Sequence, residues 1–416
     1  MTVPSARPAT LRALARLLAG ERVAVTAVPL SQRAAGPDLA RGAALAGIAL
    51  ANTVGWMYGG TWTALAKQAD AGPLDRTVDV LVSLLADNRG FPMFALLFGY
   101  GIGVLHRRGQ QRGETAGAFR RRMARRHLVL AGIGLAHGVL LFPGDIILPY
   151  AVIGMLAVLF ASRSRRIVML GALIAAPMLA LWGWSDGLVG LQTGIASLPA
   201  VQAGDYGTSV LIRAQETGWA LLTMPATDLG LLTPMLIGLL MARGRVLEDV
   251  TRNRETLASL VRWLLPLSLL GAAPLTWVMV RDPWHEAVTS PALLGGLGVL
   301  HQLTGLAGAV AYAAGAALLC AGYRRGRART GRRALVALGR MSLTAYLLQS
   351  LLALAVFPAY TFGLGGRLGS AGASAIMLGT WAAGLVLAWI LARRGRRGPA
   401  EQLLRTLARP VPEVRG

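Results

Sequence analysis

Ten apolar runs divide the chain, at about 42–60, 88–106, 127–143, 146–162, 167–184, 218–242, 263–281, 292–320, 335–357 and 374–392. Each is near the ~20 residues a helix needs to cross the hydrocarbon core of a bilayer. Polar and charged residues collect between the runs. The pattern predicts an all-α, polytopic transmembrane helix bundle over 42–392. A lead at 1–41 precedes it, with a short amphipathic helix near Leu11–Leu18, and a tail follows from 393 to 416. Within the tail, GPAEQLLRTLARP reads as a short amphipathic helix lying at the membrane interface.

Charge sets the orientation. The chain of 416 residues is 54% hydrophobic and only 15% charged, where a soluble protein carries about 25% charged residues. Of its 42 basic residues, 36 fall in segments that share one side if ten spans are threaded, and both termini lie on that side. By the positive-inside rule that side is the cytoplasm. The same placement excludes nucleic acid as the partner behind the net charge of +23, because the basic runs flank apolar spans and carry no interleaved aromatics. The far side keeps Lys67, Arg76, Arg89, Arg213, Arg281 and Arg367, with an acidic loop at 61–87 and a longer loop at about 185–217. Cys320 is the single cysteine, so an intrachain disulfide and a cysteine-based metal site are excluded. No metal is expected.

Ionisable groups in hydrocarbon are costly and mark functional sites. The sharpest case is HLVLAGIGLAHGVLLFPGDIILPY, His127–Tyr150, which reads as a transmembrane hairpin turning at Pro143-Gly144. His137 lies ten residues past His127, ~15 Å from the inner edge of its helix, and Asp145 follows the turn. An imidazole titrates near neutrality and can take and return a proton; a carboxylate beside it can fix its tautomer. His106 and His127 border the basic loop and are expected at the interface. Asn52 sits deep in the first run and Asp228 deep in the sixth, where a carboxylate needs a cation such as Arg89 or a wet cavity. His301 and Gln302 lie in the eighth. In LGRMSLTAYLLQSLL, Arg340, Ser342, Tyr346, Gln349 and Ser350 recur at three- and four-residue steps, which puts most of them on one helix face. Gly99, Gly101 and Gly103 follow no strand, so close helix packing is the expectation and a nucleotide loop is not.

GRMSLTAYLLQSLL followed by GPAEQLLRTL resembles the C-terminal signature of the YeiB-like family of bacterial membrane proteins, much of which is known as a domain of unknown function. GLAHGVLLFPGDIILPYAVIG, RGAALAGIALAN and FPMFALLFGYGIG resemble other blocks of that family, and the likeness spans nearly the whole chain. Ala345 departs from it, standing where members commonly carry Asn. The resemblance implies a multi-pass protein of the bacterial cytoplasmic membrane. More distantly, the family is similar to transmembrane acyltransferases, which pass an acyl group from cytoplasmic acyl-coenzyme A to an acceptor on the far side. The histidine those enzymes carry in or soon after the first span has no counterpart here, since Asn52 stands in its place and no histidine follows before His106.

The expected function is therefore acyl transfer. Acyl-CoA is the donor and a small molecule or glycan the acceptor, with the lipid bilayer as the medium and a second copy of the chain as a candidate partner. His137 would be the general base and Asp145 its orienting group. Asn52, Arg89, Asp228, Arg340, Tyr346 and Gln349 are the candidate substrate-binding residues. Two rivals remain open: a proton-coupled transporter or exporter using His137, Asp145 and Asp228, and a non-catalytic membrane scaffold.

Overall fold

A computed structural model describes residues 34–191, 199–321 and 330–409. The amphipathic segment expected near Leu11–Leu18 lies outside them. The described chain from Ala35 onward is almost wholly helical. In chain order the helices are α1 Ala35–Ala51, α2 Pro73–Leu85, α3 Gly90–Gln110, α4 Ala116–Leu140 and α5 Ile147–Leu159. Then come α6 Arg165–Leu188, α7 Pro199–Gln202, α8 Tyr206–Thr227, α9 Leu232–Arg243 and α10 Arg254–Arg281. The last five are α11 Pro291–Leu319, α12 Thr330–Arg340, α13 Ser342–Val356, α14 Ser370–Arg393 and α15 Pro399–Leu407. One short antiparallel pair, β1 Trp62–Thr63 and β2 Lys67–Gln68, sits in the loop after α1.

Among the described residues, six helical stretches are long and apolar enough to cross a membrane, and a bent pair, α12 with α13, makes a seventh. The other three expected spans are helices that fall short on length or charge. α1 has 17 residues, and α5 has 13, roughly 20 Å of helix against a core of about 30 Å. α4 has 25 residues, but its first half carries Arg120, Arg121, Arg122, Arg125 and Arg126.

Two expected spans depart from a single regular α-helix. The sixth runs as α8, a 3₁₀ turn over Asp228–Leu231, and α9. The ninth turns through 89° between α12 and α13. Such a bend strands the first N–H groups of the second helix, and the tail supplies their acceptor. Glu401 of α15 accepts from the Leu343 and Thr344 amides at 2.8 and 3.2 Å and from the Thr344 hydroxyl at 2.6 Å. The tail is amphipathic, as its pattern predicts, yet it is docked as a cap on α13.

The glycines of α3 act in packing. A Cβ at Gly99 would overlap the Met235 backbone, and one at Gly238 the Leu96 carbonyl, so α3 and α9 meet backbone to backbone. Small residues permit such approach where no hydrophobic effect drives helices together. The acidic loop at 61–87, expected on the outer side, contributes α2. Its Asp79 and Asp87 are buried, and Asp87 pairs with Lys67 at 3.0 Å.

Candidate functional site

The hairpin forms as its sequence predicts, and its local chemistry explains why. α4 ends at Leu140, with the Leu141 and Phe142 amides both returning to the His137 carbonyl at 2.8 and 3.0 Å. After the turn, Asp145 accepts from the Ile147 and Leu148 amides at 3.0 and 2.7 Å. A carboxylate there satisfies orphan donors and suits the positive end of the helix dipole. The same carboxylate lies against His137, with Oδ1 2.8 Å from Nδ1, off the straight line of an ideal hydrogen bond.

Two glycines of GLAHG make this approach possible. A Cβ at Gly134 would overlap the Leu148 amide and stand 2.9 Å from Asp145 Oδ2, while one at Gly138 would meet the Thr217 hydroxyl at 3.0 Å. Without side chains there, α5 and α8 close on both flanks of His137. Arg213 of α8, only 1% exposed, holds the end of α4. It donates to the Val139 and Leu140 carbonyls at 2.9 and 3.3 Å and to Ser209 Oγ at 2.7 Å. A cation at a helix C-terminus is favourably placed. Arg213, within the longer outer loop expected at about 185–217, thus supplies the clamp on the histidine helix.

The other side of His137 meets α13. Its Nε2 lies 2.8 Å from Ser350 Oγ. With the Nδ1 proton toward Asp145, Nε2 is the acceptor and the serine hydroxyl the donor. The order Asp145, His137, Ser350 is that of a carboxylate, a base and a hydroxyl nucleophile. Both His137 and Ser350 are buried, at 2% and 4% exposure. Tyr346, one turn before Ser350, holds its ring 5.0 Å from the imidazole and tilted at 42° to it. Its hydroxyl sits beside Asn52 and the Ile146 backbone without a well-formed hydrogen bond. Gln349 reaches the Leu45 carbonyl of α1 at 3.4 Å. Trp56 stacks on Phe142 of the turn, centroids 4.7 Å apart, and on Phe357 beyond α13, closing this end of the bundle with aromatics.

Three candidate residues are engaged elsewhere. Arg340 bonds Asp38 at 3.1 Å, and Arg41 shares that carboxylate, so α12 is pinned to α1 at the arginine-rich end. Arg89, fully buried, donates to Ser268 Oγ and to the Ser268, Ser83 and Asp87 carbonyls. Asp228 is not paired with it. Among the described residues Asp228 makes no ion pair and accepts from the Thr227 hydroxyl at 3.0 Å. His127, expected at the interface, is buried, bonded to the Met123 carbonyl at 2.7 Å and edge-on to Phe98. His301 belongs to a second polar network, in which Asn88 bridges Asp186 at 2.8 Å and His301 at 3.1 Å.

Two clefts open on opposite ends of the bundle. One, of about 250 Å³, is lined by Arg107, Arg108, Gln111, Arg245, Glu248 and Asp249, with Arg107 paired to Glu248. The other, of about 300 Å³, has Tyr58, Gln68, Asp70, Asp75 and Arg367 among its lining residues. His137 lines neither.

Comparison with known proteins covers most of this frame. Over 401 residues the chain is 25% identical to the uncharacterized protein YxaH of Bacillus subtilis, spanning 89% of this chain and 92% of that one. It is 26% identical to the uncharacterized protein YeiB of Escherichia coli, spanning 89% of this chain and 94% of that one. Residues 241–410 match the family described as a protein of unknown function, DUF418. The chain is a homologue of these two proteins. The DUF418 region takes in α13, with Tyr346 and Ser350, and the capping tail; the hairpin with His137 and Asp145 precedes it. The site therefore joins two parts of a YeiB-like chain that lie far apart in sequence.

Proposed function

We propose that this YeiB-like protein is a membrane-embedded acyltransferase that moves an acyl group from acyl-CoA to a small-molecule or glycan acceptor. The observation that carries the reading is His137, held between the Asp145 carboxylate and the Ser350 hydroxyl at 2.8 Å each. Acyl transfer needs a base that takes a proton from an attacking hydroxyl and returns it to the leaving group. An imidazole whose Nδ1 faces a carboxylate keeps Nε2 free to do so. The low-dielectric interior excludes water, the competing acceptor.

Ten spans result if α1, α4 and α5 insert with the seven stretches that pass on length and hydropathy. Both termini and the arginine-rich cleft then face the cytoplasm of the bacterium, and the second cleft faces out. Guanidinium groups suit phosphate bidentately, so Arg107, Arg108 and Arg245 would receive the diphosphate of coenzyme A. The outer cleft, with a tyrosine ring and planar polar side chains, suits a sugar or another polyhydroxylated acceptor.

Comparative mass analysis of envelope glycans and lipids tests this, from cells expressing wild type or His137→Ala. An acylated species present only with wild type is expected. Identical profiles, with both proteins at equal abundance in the membrane, would reject the reading.

A proton-coupled transporter is the second reading. It rests on the 89° break between α12 and α13 and on Asp228 at the 3₁₀ turn between α8 and α9. Transporters place substrate and ion sites at discontinuous helices. Proton flux in proteoliposomes that disappears with Asp228→Asn and persists with His137→Ala would favour transport.

A further inference from the structure

Every hydroxyl inside a membrane helix must find a partner, and the usual one is the carbonyl one turn back. Thr53, Thr276 and Thr304 follow that habit, bonding the carbonyls of Ala49, Ala272 and Leu300 at 3.3, 3.0 and 2.7 Å. Ser350 does not. Its described bond leaves α13 altogether and crosses to His137 Nε2 at 2.8 Å. A general base needs only its orienting carboxylate and room for the acceptor. Here the place the acceptor hydroxyl would take is already filled by a hydroxyl of the chain itself.

We propose that Ser350 is a nucleophile that carries the acyl group covalently between donor and acceptor. The proposal rests on the acyl-transfer reading and deepens it. In the first half-reaction, Ser350 Oγ attacks the thioester carbonyl while its proton passes to His137 Nε2. The C–S bond breaks, the coenzyme A thiolate leaves and takes that proton from His137, and an ester remains on Ser350. In the second, the acceptor hydroxyl gives its proton to His137 and its oxygen attacks the ester carbon. The bond to Oγ breaks, and the proton returns to Ser350. No oxidant, metal or further reactant is needed. Each tetrahedral intermediate carries an oxyanion, and preorganised donors there speed such steps. The Tyr346 hydroxyl, one turn from Ser350 on the same face, is buried without a well-formed bond and has the Asn52 amide at its side. These two are the candidate donors for that oxyanion. The seal of Trp56, Phe142 and Phe357 over the turn keeps bulk water from the ester.

The test is an alkyl fluorophosphonate, which partitions into bilayers and reacts with serines activated by a neighbouring base. It is applied to the full chain in nanodiscs and followed by peptide mass analysis. Ser350 should be modified in wild type and at least about 100-fold more slowly in His137→Gln, the loss expected when a general base is removed. Ser350→Ala should take no label. Ser350→Cys, in a Cys320→Ala background, keeps a nucleophile of similar size. If Ser350→Ala proves unstable, maleimide capture of that cysteine should depend on His137 in the same way. Absence of His137-dependent reaction at position 350 in both variants overturns the proposal. Transfer from acyl-CoA at wild-type rate by Ser350→Ala, lost in His137→Gln, also overturns it and leaves His137 as a direct base. A labelled Ser350 in a protein that releases no thiol from acyl-CoA keeps the nucleophile and removes the transferase.

Discussion

Gly134→Ala is the smallest change that separates the two helices of the His137–Asp145 hairpin. A Cβ there would overlap the Leu148 amide, stand 2.8 Å from Leu148 Cα and 2.9 Å from Asp145 Oδ2. Backbone cannot yield as a flexible side chain can, so α5 must move away from α4 by a sizeable fraction of an ångström. Overpacking of this kind costs about 1–3 kcal/mol. It is offset by up to about 1 kcal/mol from the better helix propensity of alanine. The functional loss should exceed the loss of stability. The displaced element carries Asp145, and misplacement near 1 Å costs on the order of 100-fold in rate. Gly132→Ala is the control. A Cβ at Gly132 meets nothing within 4 Å, so that variant should match wild type in activity and match or exceed it in stability. Thermal unfolding in detergent and the rate of thiol release from acyl-CoA supply the two readouts. Wild-type activity and stability in Gly134→Ala would show that the contact of α5 with α4 does not set the site.

Other substitutions should separate positioning from chemistry. Arg213→Leu strands the Val139 and Leu140 carbonyls and removes a cation from the end of α4, which should lower stability by about 2–4 kcal/mol; Arg213→Lys should recover little of it. Denaturant titration measures both. Glu401→Ala should cost about 0.5–2 kcal/mol, the range for a lost helix cap, and hydrogen exchange should quicken at the Leu343 and Thr344 amides, which lose their acceptor. Asp228→Asn should leave thermal stability near wild type, because among the described residues no cation pairs with it; a loss of about 3–5 kcal/mol would reveal a buried pair. In the loop after α3, the Arg122 hydrogen bond holds the Glu114 carboxyl below its usual range. That contribution is present at neutral pH and disappears as the pH falls through the carboxylate range, and Glu114→Gln should abolish this part of the acid dependence of unfolding.

The hairpin was readable because its signals are local. Apolar runs, the Pro143-Gly144 turn and two ionisable residues eight positions apart lie within one stretch of chain. The polar face of LGRMSLTAYLLQSLL was equally readable, since periodicity places residues on a face. Periodicity does not say what that face meets. Ser350 and His137 are 213 residues apart, and only the fold brings α13 and α4 together at this bond. The same gap explains Arg340 and Arg89. Each is a membrane arginine in search of a partner, and the chain satisfied them with Asp38 and with backbone carbonyls. The break at Met341 carries no proline, and Gly339 beside it is used for close packing against the Asp38 carbonyl, so nothing in the pattern marks a bend. Its cap, Glu401, stands 60 residues further on. Acidic composition placed 61–87 on the outer side but did not show that Asp79 and Asp87 are buried, with Lys67 the counter-ion for Asp87.

The most direct test is thiol release from acyl-CoA by purified protein in nanodiscs, measured across short and long acyl chains for wild type, His137→Gln and Asp145→Asn. The account predicts release by wild type with at least one chain length, a fall of about 100-fold or more in His137→Gln, and a smaller fall in Asp145→Asn, with all three proteins equally stable. Release that is unaffected by His137→Gln would contradict the acyltransferase built on this histidine, as would none from wild type with any chain length.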